Sequence, residues 1–456
     1  MSIFLDRVFT ALDDGGDTVL FHHDGRRTTY RAAAETLGRL HTGLAGLTGT
    51  VALDAPNRPE LVLAQLAAQA RGLTVLLIAA SASKPAREAA LARTDAHLIT
   101  DTDLDRLVHH PPSTPDTHPE GVTTVFPSGG TTGRPKLIRH RGIYDGMAHI
   151  FRPDGTQTVL VTAPLTHLTG HAAVLGALLC GNTVVLRRQF DAAGVLHDLE
   201  THRVTTLSLT PARLAAVLDS PRLPDTDVSS VRSLSLGAAP LPPRRLARAL
   251  AVFGPVVGQG YGLTEAPMIA SISAGELDGH PERLGSVGRI VSGMAARIEN
   301  GEVLVRGLSM MDGYFGEEPI GDGWLHTGDL GHFDEAGYLY LHDRLDDVIV
   351  TGEHGTKVAS TTVENALLTH PAVEAAAAFA VPGPGGEGEV VHAVVATRTP
   401  TTVETLRDHV REELGGEHFV PSSVDFADGL PLTAVGKVDK RALREPFWRG
   451  RKRRIA

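Results

Sequence analysis

The sequence predicts an α/β protein: a large N-terminal domain of parallel-sheet α/β layers, followed by a small C-terminal α+β domain. Three observations carry this. Between residues 183 and 260, short apolar runs (183–186, 204–209, 231–236, 255–257) alternate with amphipathic helical stretches (191–202, 211–218, 241–253), the rhythm of parallel strands joined by right-handed crossovers. After Asp343 the pattern changes to short strands mixed with two helices over about a hundred residues, the size of a compact α+β unit. The full length of 456 residues is long for one core and suits a large domain plus a small one.

In chain order, residues 29–44 read as a helix, 51–53 as a strand and 61–72 as a helix, which starts the α/β rhythm. A linker rich in Pro, Thr, His and Asp spans 109–120. The apolar run 122–126 then leads into Pro127-Ser-Gly-Gly-Thr-Thr-Gly-Arg-Pro-Lys136, which holds three glycines, three hydroxyls and two cations. Those residue types suit a loop that wraps phosphates: glycines let backbone N–H groups approach oxygens, hydroxyls donate, and Arg134 and Lys136 supply charge. The loop is not a Walker A loop, because GxxxxGK[ST] is absent. Within 183–265, polar and glycine residues gather just after the strand ends, at Thr210-Pro211, Gly237-Ala-Ala-Pro240 and 258–265. That edge is where open α/β sheets take ligands. The second domain comprises 347–351, 360–370, 373–381, 389–398, 402–414 and a loop at 429–437, and the boundary falls at Leu345–Asp346, giving domains 1–345 and 346–456.

Composition narrows the function. Apolar residues make up 42% and charged residues 21%, as in an ordinary globular protein. A net charge of −10 argues against a nucleic-acid surface, and the basic stretch 449–454 reads as a solvated terminus. Cys180, the one cysteine, lies in an apolar stretch and reads as a small core residue. The 22 histidines lack metal-site spacing, so no structural metal is assigned. The N-terminus lacks a signal-peptide pattern and no run approaches a membrane span, so a cytoplasmic location without membrane contact is expected.

Six segments in fixed order resemble the signature set of the adenylate-forming superfamily, which includes acyl- and aryl-CoA synthetases, adenylation domains of peptide synthetases and luciferases. They are Ser128-Gly-Gly-Thr-Thr-Gly-Arg-Pro-Lys136, Ala163-Pro-Leu-Thr-His-Leu-Thr-Gly170, Gly260-Tyr-Gly-Leu-Thr-Glu265, Trp324-Leu-His-Thr-Gly-Asp329, Asp343-Arg-Leu-Asp-Asp347 and Pro431-Leu-Thr-Ala-Val-Gly-Lys437. The resemblance covers nearly the whole chain, and an ordered set over some three hundred residues is far more specific than any one member.

The resemblance implies ATP-dependent activation of a carboxylic acid as an acyl- or aryl-adenylate with release of pyrophosphate, then transfer to a thiol, coenzyme A first. Two anions meet in such a reaction, so charge neutralisation and alignment dominate catalysis. Ser128, Gly130, Thr131, Thr132, Gly133 and Lys136 are implied to hold the β- and γ-phosphates, Thr264 the α-phosphate and Glu265 the Mg²⁺. Tyr261 is implied to stack on adenine between Gly260 and Gly262, with Gly237, Ala238 and Ala239 as the opposite wall. The resemblance likewise implies that Asp329 takes the ribose hydroxyls with help from Arg344, that Asp346 is the hinge of a mobile lid, and that Lys437 is the catalytic cation. His167 is implied to gate an acyl pocket that includes Leu168, Gly237, Gly262 and Met268.

Three departures bear on specificity. Gly129 stands where serine is common in relatives. Leu168 stands where relatives that activate amino acids carry an aspartate, which disfavours an α-amino acid. The turn Thr351-Gly-Glu-His-Gly-Thr-Lys-Val358 is about two residues longer than the Gly-Gly turn of CoA-using relatives and carries Glu353 and His354. A carrier-protein thiol or an amine is therefore the alternative acceptor. A nucleotide-binding protein without turnover is the alternative from another class.

Overall fold

The computed structural model describes residues 2–114, 119–128, 135–318, 320, 323–352, 355–383, 385, 388–433 and 435–450. Four sheets organise the described residues. The first runs in the order His97–Thr100, Thr50–Asp54, Thr74–Leu77, Thr123–Ser128, Lys136–His140 and is parallel except for its last pair. The second has nine strands. Its middle is parallel, with Val257–Tyr261, Ser233–Gly237, Thr206–Leu209, Thr158–Val161, Thr183–Leu186 and Val19–His23 side by side, and antiparallel strands close both edges.

Two helices lie between these sheets, and their composition says why. Pro59–Ala70 and Leu168–Leu179 are apolar almost all round, and a helix without a polar face must be covered on both sides. Both pack in one core with Val51 and Val75 of the first sheet and Val159, Val161 and Leu186 of the second. Amphipathic helices cover the far side of the nine-stranded sheet. Ala192–Thr201 starts where the Asp191 carboxylate accepts from Gly194 N at 2.7 Å, and Pro243–Phe253 turns Leu246 and Ala249 inward while its arginines face out.

A four-stranded antiparallel sheet (Met294–Glu299, Glu302–Gly307, Leu325–Phe333, Leu339–Arg344) follows, and Leu345–Asp347 forms one short turn of 3-10 helix. Beyond it lies the second unit. Strands Ile349–Thr351, Thr356–Val358, Val373–Pro382, Glu389–Thr397 and Ser423–Phe426 form its sheet, with helices Ser360–Thr369 and Val403–Leu414 packed on it around Val363, Leu367, Leu406 and Val410.

The alternating elements between 183 and 253 lie where the sequence places them, with three corrections elsewhere. The strand expected at 255–257 continues to Tyr261, so Gly258 and Gly260 lie within a strand rather than in the loop after it. A glycine suits that place because a Cβ on Gly258 would sit 2.9 Å from Ile272 O of the neighbouring strand. The second unit has two further strands, Thr356–Val358 and Ser423–Phe426, and a third helix, Lys440–Trp448, whose polar composition and internal Pro446 hid it. Part of the expected linker, though exposed, is tied down by hydrogen bonds, with Ser113 N donating to Gly38 O at 3.1 Å and Ser113 Oγ taking the Thr42 hydroxyl at 2.9 Å.

Cys180 is buried at the end of helix Leu168–Leu179, and burial pushes its thiol up. No helix among the described residues is long and apolar enough to cross a membrane.

Candidate active site

The carboxyl ends of the parallel strands gather most of the residues singled out in the sequence. Strand Ser233–Gly237 ends in Gly237, which lies opposite Gly260 of strand Val257–Tyr261; a Cβ on Gly237 would fall 2.6 Å from Gly260 O, so only glycine allows the two strands this approach. Ala238 then takes φ +69°, a left-handed conformation costly for a residue with a Cβ, and Ala239 follows. Such strain persists only where the surroundings impose it.

Tyr261 turns its ring inward and donates its hydroxyl to Asp329 Oδ2 at 2.6 Å. The other carboxylate oxygen faces Arg344 Nε at 3.4 Å, across the strand pair in which Asp329 and Arg344 are direct partners. Burial raises the pKa of Asp329, while Arg344 and then the Tyr261 hydroxyl pull it back. Gly262 follows Tyr261 at the strand end. Met268 is half exposed, and its carbonyl accepts from Ser309 Oγ at 2.9 Å.

Thr264 and Glu265 occupy the loop beyond. Two residues missed in the sequence hold them. His140 Nε2 lies 2.6 Å from Thr264 O, and since a carbonyl only accepts, this nitrogen carries the proton. Burial holds His140 below the usual histidine range, so the ring is neutral. Tyr314 donates to Glu265 Oε1 at 3.3 Å and receives Lys136 Nζ at 3.4 Å, joining the carboxylate to the cation of the glycine-rich loop. Within that loop Gly130, Thr131, Thr132 and Gly133 lie outside the described residues, as does the side chain of Ser128.

Lys437 enters from the second unit. Its loop closes through a bridge between Leu432 and Val438, with Thr433 N donating to Lys437 O at 2.8 Å. Gly436, at φ +78°, turns the chain, and its carbonyl accepts from Thr210 Oγ1 at 3.0 Å. A Cβ there would lie 2.9 Å from both Thr210 Oγ1 and Arg213 Nε. Both the turn and the contact therefore select glycine. The ammonium sits among Arg344, Asp329 and Glu265: crowding by protein and the Arg344 charge lower its pKa, and the two carboxylates raise it.

His167 precedes helix Leu168–Leu179 as its N-cap, and Leu168 turns into the core. Burial, the Lys437 ammonium and Arg213 together push the imidazole down to about 4, so it is neutral near pH 7. Arg213, a buried cation on helix Pro211–Leu218, was also missed in the sequence. It stacks over Phe190 and contacts Thr162 Oγ1 at 3.4 Å.

A second lysine behaves differently. Lys440 is buried, pairs with Glu364 at 2.8 Å and donates to Ser360 Oγ at 2.7 Å. Ser360 Oγ in turn donates to Asp343 Oδ1 at 3.1 Å, tying the second unit to the last strand of the first. Asp346 lies in the connecting turn, where its carbonyl accepts from Arg444 Nη1 at 3.0 Å. Glu353 and His354 of the lengthened turn lie outside the described residues. Among the described residues no group of three or more His, Cys, Asp or Glu side chains forms a metal cage.

A family model described as AMP-binding enzyme matches residues 100–315, and one described as AMP-binding enzyme C-terminal domain matches 362–437. Over 93% of this chain and 95% of the relative, the sequence is 32% identical to a feruloyl-CoA synthase of an Amycolatopsis species. It is 34% identical to the medium/long-chain-fatty-acid–CoA ligase FadD8 of Mycobacterium tuberculosis over 75% of this chain; the match spans 64% of that longer protein. The structure of the amide bond synthetase McbA from Marinactinospora thermotolerans superposes with a TM-score of 0.84 at 30% identity, covering 97% of this chain and 100% of that one.

Proposed function

The chain belongs to the AMP-binding enzyme family, and from that premise we propose that it activates a carboxylic acid with ATP and passes the acyl group to coenzyme A or to an amine. The observation that carries this reading is Lys437, delivered by the second unit into the charge field of Glu265, Asp329 and Arg344 at the strand ends. We assign 1–345 to the domain that holds nucleotide and acid, and 346–456 to a lid.

The substrate carboxylate oxygen attacks the α-phosphorus, a P–O bond to pyrophosphate breaks, and the acyl-adenylate remains. Lys437 and Lys136 then face the charge that builds on the phosphates. Tyr261 orients Asp329 through its 2.6 Å bond, leaving carboxylate lone pairs for the ribose hydroxyls. His140 fixes the carbonyl of Thr264 and with it the loop that aims Thr264 at the α-phosphate. Glu265 is held by Tyr314 through one oxygen, and a single positioned carboxylate fits Mg²⁺, a hard cation that takes few protein ligands beside phosphate oxygens and water. When bound, Mg²⁺ would supply further neutralisation of phosphate charge.

In the second step the thiol or amine attacks the acyl carbon and AMP leaves. His167, neutral at working pH, places no competing charge where the carboxylate passes. The amine reading draws on the likeness to McbA across both whole chains, and on the longer turn at 351–358.

ATP–pyrophosphate exchange over a panel of acids tests the first step. Aryl acids head the panel, given the feruloyl-CoA synthase match. Acid-dependent exchange is expected with at least one class; a complete absence of exchange across aryl, fatty and short acids would contradict the assignment.

A further inference from the structure

A second cationic cavity, lined by residues other than those at the strand ends, lies in the seam between the two units. Helix Pro243–Phe253 contributes Arg244, Arg245 and Arg248 to one wall; the end of helix Ser360–Thr369, the start of strand Val373–Pro382 and Arg398 form the other. The cavity is open to solvent on one side and has a volume of about 120 Å³, room for several waters or for one phosphate group with its oxygens.

Its charges do not balance. Four guanidiniums line the cavity against two carboxylates, those of Asp219 and Glu374. Asp219 is shared, since Arg248 donates to one of its oxygens and Arg398 to the other at 2.7 Å. Among the described residues, the bonds of Arg244 and Arg245 go to neutral carbonyls: Arg244 to Thr369 O at 2.8 Å and Leu368 O at 3.3 Å, Arg245 to Glu374 O at 3.3 Å. Burial pushes Arg245 below the usual arginine range; Asp219 opposes this, and Arg398 and Arg248 add to it. A cationic, partly desolvated seam of this kind favours an anion with several acceptor oxygens, because guanidinium forks bind tetrahedral oxyanions from more than one direction.

We propose that this seam is a binding site for a phosphate-class dianion. Free phosphate, pyrophosphate and a phosphomonoester on a larger molecule share that chemistry. Both units contribute walls, so the site is complete only while the second unit holds Lys437 against the strand ends. Occupancy therefore favours this arrangement by mass action.

The test is titration calorimetry on the full chain at constant ionic strength, with the strand-edge site saturated by a non-hydrolysable ATP analogue. Inorganic phosphate, pyrophosphate and 3′-phosphoadenosine 5′-phosphate are the three probes, and the tightest identifies the source. One further site per chain is expected, weakened at least tenfold by Arg245→Gln on one wall and by Arg398→Gln on the other. Arg398 is partly exposed on the lid, so its variant carries the test if Arg245→Gln does not fold. No binding of any probe, or an affinity within twofold of the parent in either folded variant, overturns the proposal. The readout needs no turnover, so its failure is separable from failure of the assigned reaction.

Discussion

Lys437 and Lys440 stand three residues apart and meet opposite surroundings. Lys440 is locked to Glu364 and Ser360 in the interior of the second unit, whereas Lys437 faces the strand-edge carboxylates. Removing one partner of a buried ion pair leaves the other uncompensated, so Lys440→Ala should destabilise the protein by about 3–5 kcal/mol in chemical denaturation. Lys437→Ala should change stability by less than about 1 kcal/mol, and equal losses in the two variants would contradict the distinction. Glu265→Gln should lower the exchange rate by about a hundredfold or more and weaken its Mg²⁺ dependence; unchanged kinetics would remove Glu265 from the site. His171 gives a pH signature. It is fully buried, and burial pushes it from 6.5 to about 3, so between these values the unfolded chain binds a proton that the fold does not. Stability must then rise with pH through this window and fall on acidification. At pH 5 the loss from this group, relative to pH well above 6.5, is about 2 kcal/mol, and His171→Gln should remove that amount of pH dependence.

At the scale of elements, the connecting turn Leu345–Asp347 is where the chain passes from the first unit to the second. Proline at Asp346 fixes φ there. If the lid rotates about this residue between half-reactions, Asp346→Pro should spare pyrophosphate release and block acyl transfer. Normal transfer in the variant would place the hinge elsewhere. How much of the site was legible also divides at this scale. The glycine-rich, Gly-Tyr-Gly and Gly-Lys segments could be read because their residues are neighbours in sequence. His140 and Tyr314 could not, since they act on Thr264 and Glu265 from 124 and 49 residues away, and neither carries a local pattern. Tyr314 did leave a weak signal, an aromatic pair between Gly313 and Gly316. Arg213, a lone cation in an otherwise apolar helix, left another. Strand Val257–Tyr261 was cut short because glycine usually ends a strand, and here a close neighbouring backbone requires it.

At the scale of the molecule, the order of strands and helices was readable because the parallel core alternates so regularly. The four-stranded antiparallel sheet and the last helix were not: strands Met294–Glu299 and Leu325–Phe333 alternate with exposed polar residues instead of forming apolar runs, and the helix is polar in composition with Pro446 inside it. The acceptor is the open consequence of this architecture. With the best acid, we expect acyl-CoA to form only at a high CoA Michaelis constant and the adenylate to be consumed faster when an amine or carrier thiol is added; acyl-CoA formed at a low CoA Michaelis constant would refute the weaker CoA preference drawn from the turn at 351–358.

In the proposed mechanism the second unit brings one lysine to the strand ends for one half-reaction only. The most direct measurement compares both half-reactions in Lys437→Ala: pyrophosphate release from ATP plus acid, and acyl transfer from supplied acyl-adenylate. The first should fall by about a hundredfold or more while the second persists near the parent rate. Equal loss in both, or retention of both, would contradict it.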